Sequence, residues 1–156
     1  MLDSQQRQLL VIGGACGVAS FVLYVLLITL SLSDAPSPYE LSRTFLLAVT
    51  FPVLGIIFSY ALYTLIALER QGAANRLAFL FSVAALTIVA MMFAIQLAVR
   101  FGAKAYLSGI AQPGSLLRAL RMLDMGLDVV FDVFLGWAMM VIALPMYRHT
   151  RLGAVW

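Results

Sequence analysis

The stretch Leu77–Val99, LAFLFSVAALTIVAMMFAIQLAV, decides the fold because it runs for 23 residues without a charged side chain. An α-helix that crosses a membrane needs about 20 predominantly apolar residues. Hydrocarbon offers no hydrogen bonds to a peptide group, so a crossing segment must satisfy its own backbone as a helix. Residues 77–99 are therefore predicted to form a transmembrane helix.

The rest of the chain has the same character. Hydrophobic residues make up 63% and charged residues 11% of its 156 residues, whereas a soluble domain is usually about 25% charged. Three more long apolar segments predict helices at residues 9–32, 38–69 and 116–146. We expect a single all-α integral membrane domain over residues 1–156. Its predicted form is a four-transmembrane-helix bundle with a short interfacial segment between helices 3 and 4.

Charge and cysteine content exclude several classes of function. The net charge of +3 comes from scattered Lys and Arg residues, so no basic surface for nucleic acid is expected. Cys16 and His149 are each the only residue of their type, which leaves no disulfide and no Cys/His metal site, and no cofactor is predicted. Basic residues are equally numerous on the two sides of the membrane that the four predicted helices imply. The Ser/Pro-rich first loop favours N-in/C-in orientation, in what we expect to be a bacterial inner membrane.

Three aspartates spaced four residues apart are the main functional feature. They lie in RMLDMGLDVVFD, residues 121–132. A step of four residues advances a helix by only about 40°, so Asp124, Asp128 and Asp132 are predicted to share one face. An aspartate near the middle of a membrane helix costs about 2.5–3.5 kcal/mol. We therefore expect the three carboxylates to face the bundle interior or a water-filled cavity, with Asp132 the deepest.

Several polar side chains are candidate partners for these acids. Helices 3 and 4 are joined by a short connection, so the end of helix 3 lies at the same depth as the start of helix 4. Gln96 and Arg100 are predicted to oppose the acids from helix 3, and Arg118 and Arg121 extend the acidic face itself. Together these arginines would neutralise the three carboxylates.

Three functions remain open from this pattern. The leading hypothesis is a cation- or proton-conducting or coupling subunit, in which Asp124 attracts the ion, Asp128 relays it and Asp132 is the buried site. The alternative is a non-catalytic accessory, scaffold or assembly subunit of a larger membrane complex, whose Asp/Arg stripe is structural. The second alternative is an intramembrane enzyme that handles lipid or binds a metal through carboxylates. An enzyme is the least favoured of these.

Two further patterns concern packing and binding. Gly13 and Gly17 form a G-x-x-x-G spacing that permits close helix approach, either within the chain or at a dimer interface. A hydroxyl-rich patch on helix 2 either bonds to the backbone or lines a solute or lipid pocket; it comprises Ser59, Tyr60, Tyr63 and Thr64. The expected partners are the lipid bilayer and either further copies of the chain or the other subunits of a membrane complex.

Overall fold

The computed structural model is all-helical in the part that it describes, residues 3–31, 38–69, 72–97 and 113–147. This part holds four helices: α1 (Ser4–Ser31), α2 (Pro38–Ala67), α3 (Ala73–Leu97) and α4 (Pro113–Tyr147). Each is long and apolar enough to cross a membrane, which confirms the prediction of four such helices. The interfacial segment predicted between helices 3 and 4 lies outside the described residues.

Three of the helices begin earlier than their apolar runs. At the start of α1 the Asp3 carboxylate accepts a hydrogen bond from the backbone N–H of Gln6 over 2.7 Å, and the Gln6 side chain accepts one from the N–H of Asp3 over 3.1 Å. This reciprocal pair is a capping box, which starts a helix in polar sequence. Helix α3 begins at Ala73 rather than residue 77, and α4 at Pro113 rather than residue 116. Proline suits the first helical position, where no N–H is needed.

The helices pack in chain order. The main contacts are α1 on α2, α2 on α3 and α3 on α4, whereas α1 and α4 make at most marginal contact. A buried core cluster from α1, α2 and α3 lies near one end of the bundle; Leu27 of α1 belongs to it, and Leu127 of α4 packs against it. Three rings from α1, α2 and α3 meet there with centroids 5.5–6.4 Å apart: Tyr24, Phe51 and Phe93. The bundle is therefore tied together at this end.

Small residues bring α1 and α2 into close contact. A Cβ atom added to Gly13 would overlap the Cβ of Ala61, and one added to Gly17 would lie 2.6 Å from the Phe58 ring. A Cβ added to the neighbouring Gly14 would meet nothing within 4 Å. The G-x-x-x-G face of α1 thus lies against α2 of the same chain.

A proline interrupts the hydrogen bonding of α2. Pro52 lies inside the helix and has no N–H, so the carbonyl of residue 48 receives no hydrogen bond from it. Beside this position the hydroxyl of Ser20 on α1 donates to the carbonyl of Phe51 over 2.7 Å. The two helices are therefore joined by a polar contact as well as by apolar packing.

Candidate functional site

The three aspartates of α4 lie in different surroundings. Asp124 is half-buried, whereas Asp128 and Asp132 are exposed on the surface of the monomer. Their surroundings differ because each four-residue step rotates the position by about 40° around the helix axis, so Asp132 lies about 80° from Asp124. Leu127 and Phe131 of α4 pack against the core, so this rotation carries the later acids outwards. Within one chain, Asp128 and Asp132 therefore do not lie in the bundle interior where they were expected.

Asp124 faces α3. The side-chain Nε2 of Gln96 donates a hydrogen bond to its Oδ2 over 3.3 Å, so the structure brings together these two predicted residues. The other oxygen, Oδ1, is buried and has no hydrogen-bond partner among the described residues. A buried acceptor without a partner costs about 1–3 kcal/mol. This oxygen is free to accept a proton, a cation or a donor from outside the described chain.

The predicted arginine partners do not meet the acids in the described part of the chain. Arg118 and Arg121 are exposed, and no ion pair joins them to an aspartate of α4 among the described residues. Arg100 lies outside those residues. Within the same ranges no group of three His, Cys, Asp or Glu side chains could hold a metal ion. The carboxylates of Asp128 and Asp132 are thus presented without a basic partner from the described helices.

The hydroxyl patch predicted on α2 does not form a single site. The hydroxyls of Ser59 and Thr64 each donate over 2.9 Å to a carbonyl of α2 itself, those of Gly55 and Tyr60. The rings of Tyr60 and Tyr63 pack instead beside Phe79 of α3, with centroids 5.9 and 5.4 Å from it. Of the four predicted residues, only Ser59 lines the pocket described next.

An apolar pocket of about 620 Å³ lies between the C-terminal half of α4 and the other three helices. Its α4 wall includes Met139 and Ala143, which continue the acidic face of this helix towards its C-terminal end. Gly55 of α2 and Ser20 of α1 form part of the opposite wall. The sequence did not predict this pocket, because its position depends on the separation of α4 from α1 and α2. The small residues that line it, such as Ser20, Gly55 and Ala143, were the local signal.

A buried asparagine was also not predicted from the sequence. Asn75, near the start of α3, is 2% exposed; its Nδ2 donates to the carbonyl of Tyr63 over 3.0 Å, and its Oδ1 has no partner among the described residues. Asn75 shares the buried face of α3 with Ala78, Ala85 and Val89. Helical spacing from that face could have identified it, but Asn75 precedes the apolar run from which the start of helix 3 is predicted.

The acidic side of α4 therefore combines one half-buried carboxylate, two surface carboxylates and, nearer the C-terminal end, an apolar pocket. The carboxylates can bind or pass on protons and cations. The pocket can hold only an apolar group. Comparison with protein-family models, with curated proteins and with solved structures found no match for this chain.

Proposed function

We propose that the protein is an integral membrane protein that crosses the bilayer four times. Support comes from the outer faces of the helices, where large apolar side chains are exposed, among them Phe21, Leu46, Leu80 and Val133. Such surfaces are stable in lipid and not in water. The Ser/Pro-rich loop after the first helix favours an N-in/C-in topology, and we assign the protein to a bacterial inner membrane.

Within that membrane, the protein is proposed to form a homo-oligomer through the acidic face of α4. The observation that carries this proposal is the exposure of Asp128 and Asp132 on an otherwise apolar helix surface. An aspartate that faces lipid near the middle of the bilayer costs about 2.5–3.5 kcal/mol, and Asp132, the deeper of the two, would carry the larger cost. Association of several α4 helices around a water-filled axis would remove both carboxylates from contact with hydrocarbon. Intramembrane acids of this kind usually mark ion or proton pathways.

The proposed activity is passage of protons or cations along this face. Successive acids are about 6 Å apart along the axis, because α4 rises about 1.5 Å per residue. Asp124 collects the ion at the outer end, Asp128 passes it on and Asp132 is the deepest site. The exposed Arg118 and Arg121 lie at the mouth and set the local potential there.

Flux through liposomes tests the proposal. The purified protein should carry a proton or cation current, which Asp132→Asn abolishes and Asp128→Asn lowers at least tenfold, because an amide neither takes up a proton nor attracts a cation. Asp3→Asn is the control: it removes a carboxylate far from α4, and asparagine caps a helix as well as aspartate. Absence of flux in the unmodified protein, or equal flux in all variants, would overturn the proposal.

A second function rests on the same unpaired acids. In this second function the protein is an accessory or assembly subunit whose acidic face binds a basic helix of another membrane protein, since no arginine of the described residues forms an ion pair with Asp128 or Asp132. In that case Asp132→Asn lowers co-purification with the partner, while the isolated protein carries no flux. Co-purification and flux measured on the same two variants separate the two functions.

A further inference from the structure

We propose that the pocket beside the C-terminal half of α4 binds one acyl chain of a membrane phospholipid. The pocket has a volume of about 620 Å³ and is formed by all four helices. Protein interiors are close-packed, so an apolar groove of this size between the helices leaves room for a ligand. The proposal concerns a site that the ion pathway does not use, since no lining residue carries a charge.

The chemistry of the wall selects an apolar ligand. Three serines line the pocket, and each of their hydroxyls already donates to a backbone carbonyl. Ser20 bonds to Phe51 over 2.7 Å, and Ser59 and Ser82 bond to carbonyls of their own helices over 2.9 Å. A buried water needs two to four polar partners, whereas these three hydroxyls retain only acceptor lone pairs and are set in a wall that is otherwise mostly apolar. The pocket therefore favours hydrocarbon over water.

The length of the pocket matches one leaflet. Its α4 wall extends from Leu135 to Tyr147, a distance of about 18 Å at 1.5 Å per residue. The hydrocarbon core of a bilayer is about 30 Å thick, so one leaflet supplies about 15 Å. Tyr147 is 74% exposed at the end of α4, where an aromatic side chain marks the membrane interface. An acyl chain entering at Tyr147 would fill the pocket from the interface to the middle of the bilayer.

The length of the pocket argues against a helix of a second copy as the occupant. Each helix of the described chain is long enough to cross both leaflets, about 30 Å, whereas the α4 wall of the pocket is about 18 Å long. An acyl chain is narrower, and the marginal contact between α1 and α4 leaves a side through which it can enter from the bilayer. Phospholipid is also the hydrocarbon present at the highest concentration around the protein.

Native mass spectrometry of the detergent-purified protein tests this inference. Ala143 lines the pocket and is itself exposed, so the indole of Ala143→Trp fits into the pocket space without displacing the backbone. Leu144→Trp is the matched control, because Leu144 is the next residue, is exposed and lies outside the pocket. We expect the unmodified protein and Leu144→Trp to retain one phospholipid per chain, and Ala143→Trp to show at least a tenfold lower occupancy.

A second measurement uses the unmodified chain alone and does not depend on the folding of a variant. Phospholipids with long acyl chains, added to delipidated protein, should raise its Tm with saturation, whereas short-chain phospholipids of the same headgroup should not. Four results would each overturn the inference: no phospholipid retained by the unmodified protein, equal retention by Ala143→Trp, preferential retention of free fatty acid, or a change of oligomer size without loss of lipid. Ion flux enters none of these readouts, so the lipid site can fail while the proposed pathway stands.

Discussion

Gln96 on α3 donates a hydrogen bond over 3.3 Å to Asp124 on α4, and the second oxygen of that carboxylate is buried without a partner among the described residues. This contact points Asp124 towards α3. Because the helix turns about 40° with each four-residue step, the same orientation leaves Asp128 and Asp132 on the monomer surface. The rotation of α4 that places Asp124 against Gln96 therefore also exposes Asp128 and Asp132, the two acids that carry the proposed function.

Removing the donor from this pair should destabilise the fold. Gln96→Leu leaves both oxygens of Asp124 without a partner among the described residues, and we expect the free energy of unfolding in detergent micelles to fall by about 1–3 kcal/mol. The double variant Gln96→Leu/Asp124→Leu also removes the unpaired carboxylate and should recover most of the lost free energy of unfolding. A double-mutant cycle measures the coupling between the two residues. Strictly additive effects would show that the hydrogen bond contributes nothing.

The close approach of α1 and α2 gives a matched pair of glycine variants. Gly13→Ala places a Cβ onto that of Ala61 and should lower the free energy of unfolding by about 1–3 kcal/mol, as overpacking does. Gly14→Ala meets nothing within 4 Å and should be neutral or gain up to about 1 kcal/mol from helix propensity. Thermal unfolding of both variants, with circular dichroism as the signal, checks this. Equal effects at the two positions would mean that α1 does not lie against α2 at Gly13.

The number and type of the helices could be predicted from the sequence, because an apolar run of about 20 residues has one stable backbone solution in lipid. The prediction that the three aspartates share one face of the helix followed from the helical period alone. The direction of that face could not be predicted, because the rotation of α4 about its axis depends on how Leu127 and Phe131 pack into the core. Helix starts were missed where polar caps such as Asp3 and Gln6 extend a helix beyond its apolar run.

The polar contact beside Pro52 should contribute measurably to the association of α1 with α2. Ser20→Ala removes a hydroxyl that reaches across to the other helix, and we expect a loss of about 0.5–1.5 kcal/mol in the free energy of unfolding. Ser82→Ala is the control, since that hydroxyl donates to Ala78 within α3 and its removal should change stability little. Chemical denaturation in micelles compares the two. A loss no greater for Ser20→Ala than for Ser82→Ala would assign the Ser20 hydroxyl no role between the helices.

Association through the acidic face can be tested with two glycines of α4 that lie at different angles from the acids around the helix axis. A Cβ at either Gly126 or Gly136 meets nothing within 4 Å in the monomer, so a leucine at either position should leave the monomer fold intact. Gly136 lies one turn beyond Asp132 and about 40° from it around the helix axis, whereas Gly126 lies about 120° from Asp132. We therefore expect Gly136→Leu to reduce the oligomer to smaller species and Gly126→Leu to leave its size unchanged.

The measurement is the molar mass of the protein in detergent, by light scattering coupled to size exclusion, over a range of protein-to-detergent ratios. A bulky side chain at Gly136 holds neighbouring α4 helices apart, so the dissociation constant of the oligomer should rise at least tenfold, equivalent to about 1.4 kcal/mol. Flux in liposomes should fall in the same variant, because the acids no longer meet at a shared axis. An oligomer that survives Gly136→Leu but dissociates with Gly126→Leu would place the interface away from the acidic face of α4 and leave Asp128 and Asp132 facing lipid. An aspartate near the middle of a membrane helix costs about 2.5–3.5 kcal/mol, which makes that arrangement unfavourable.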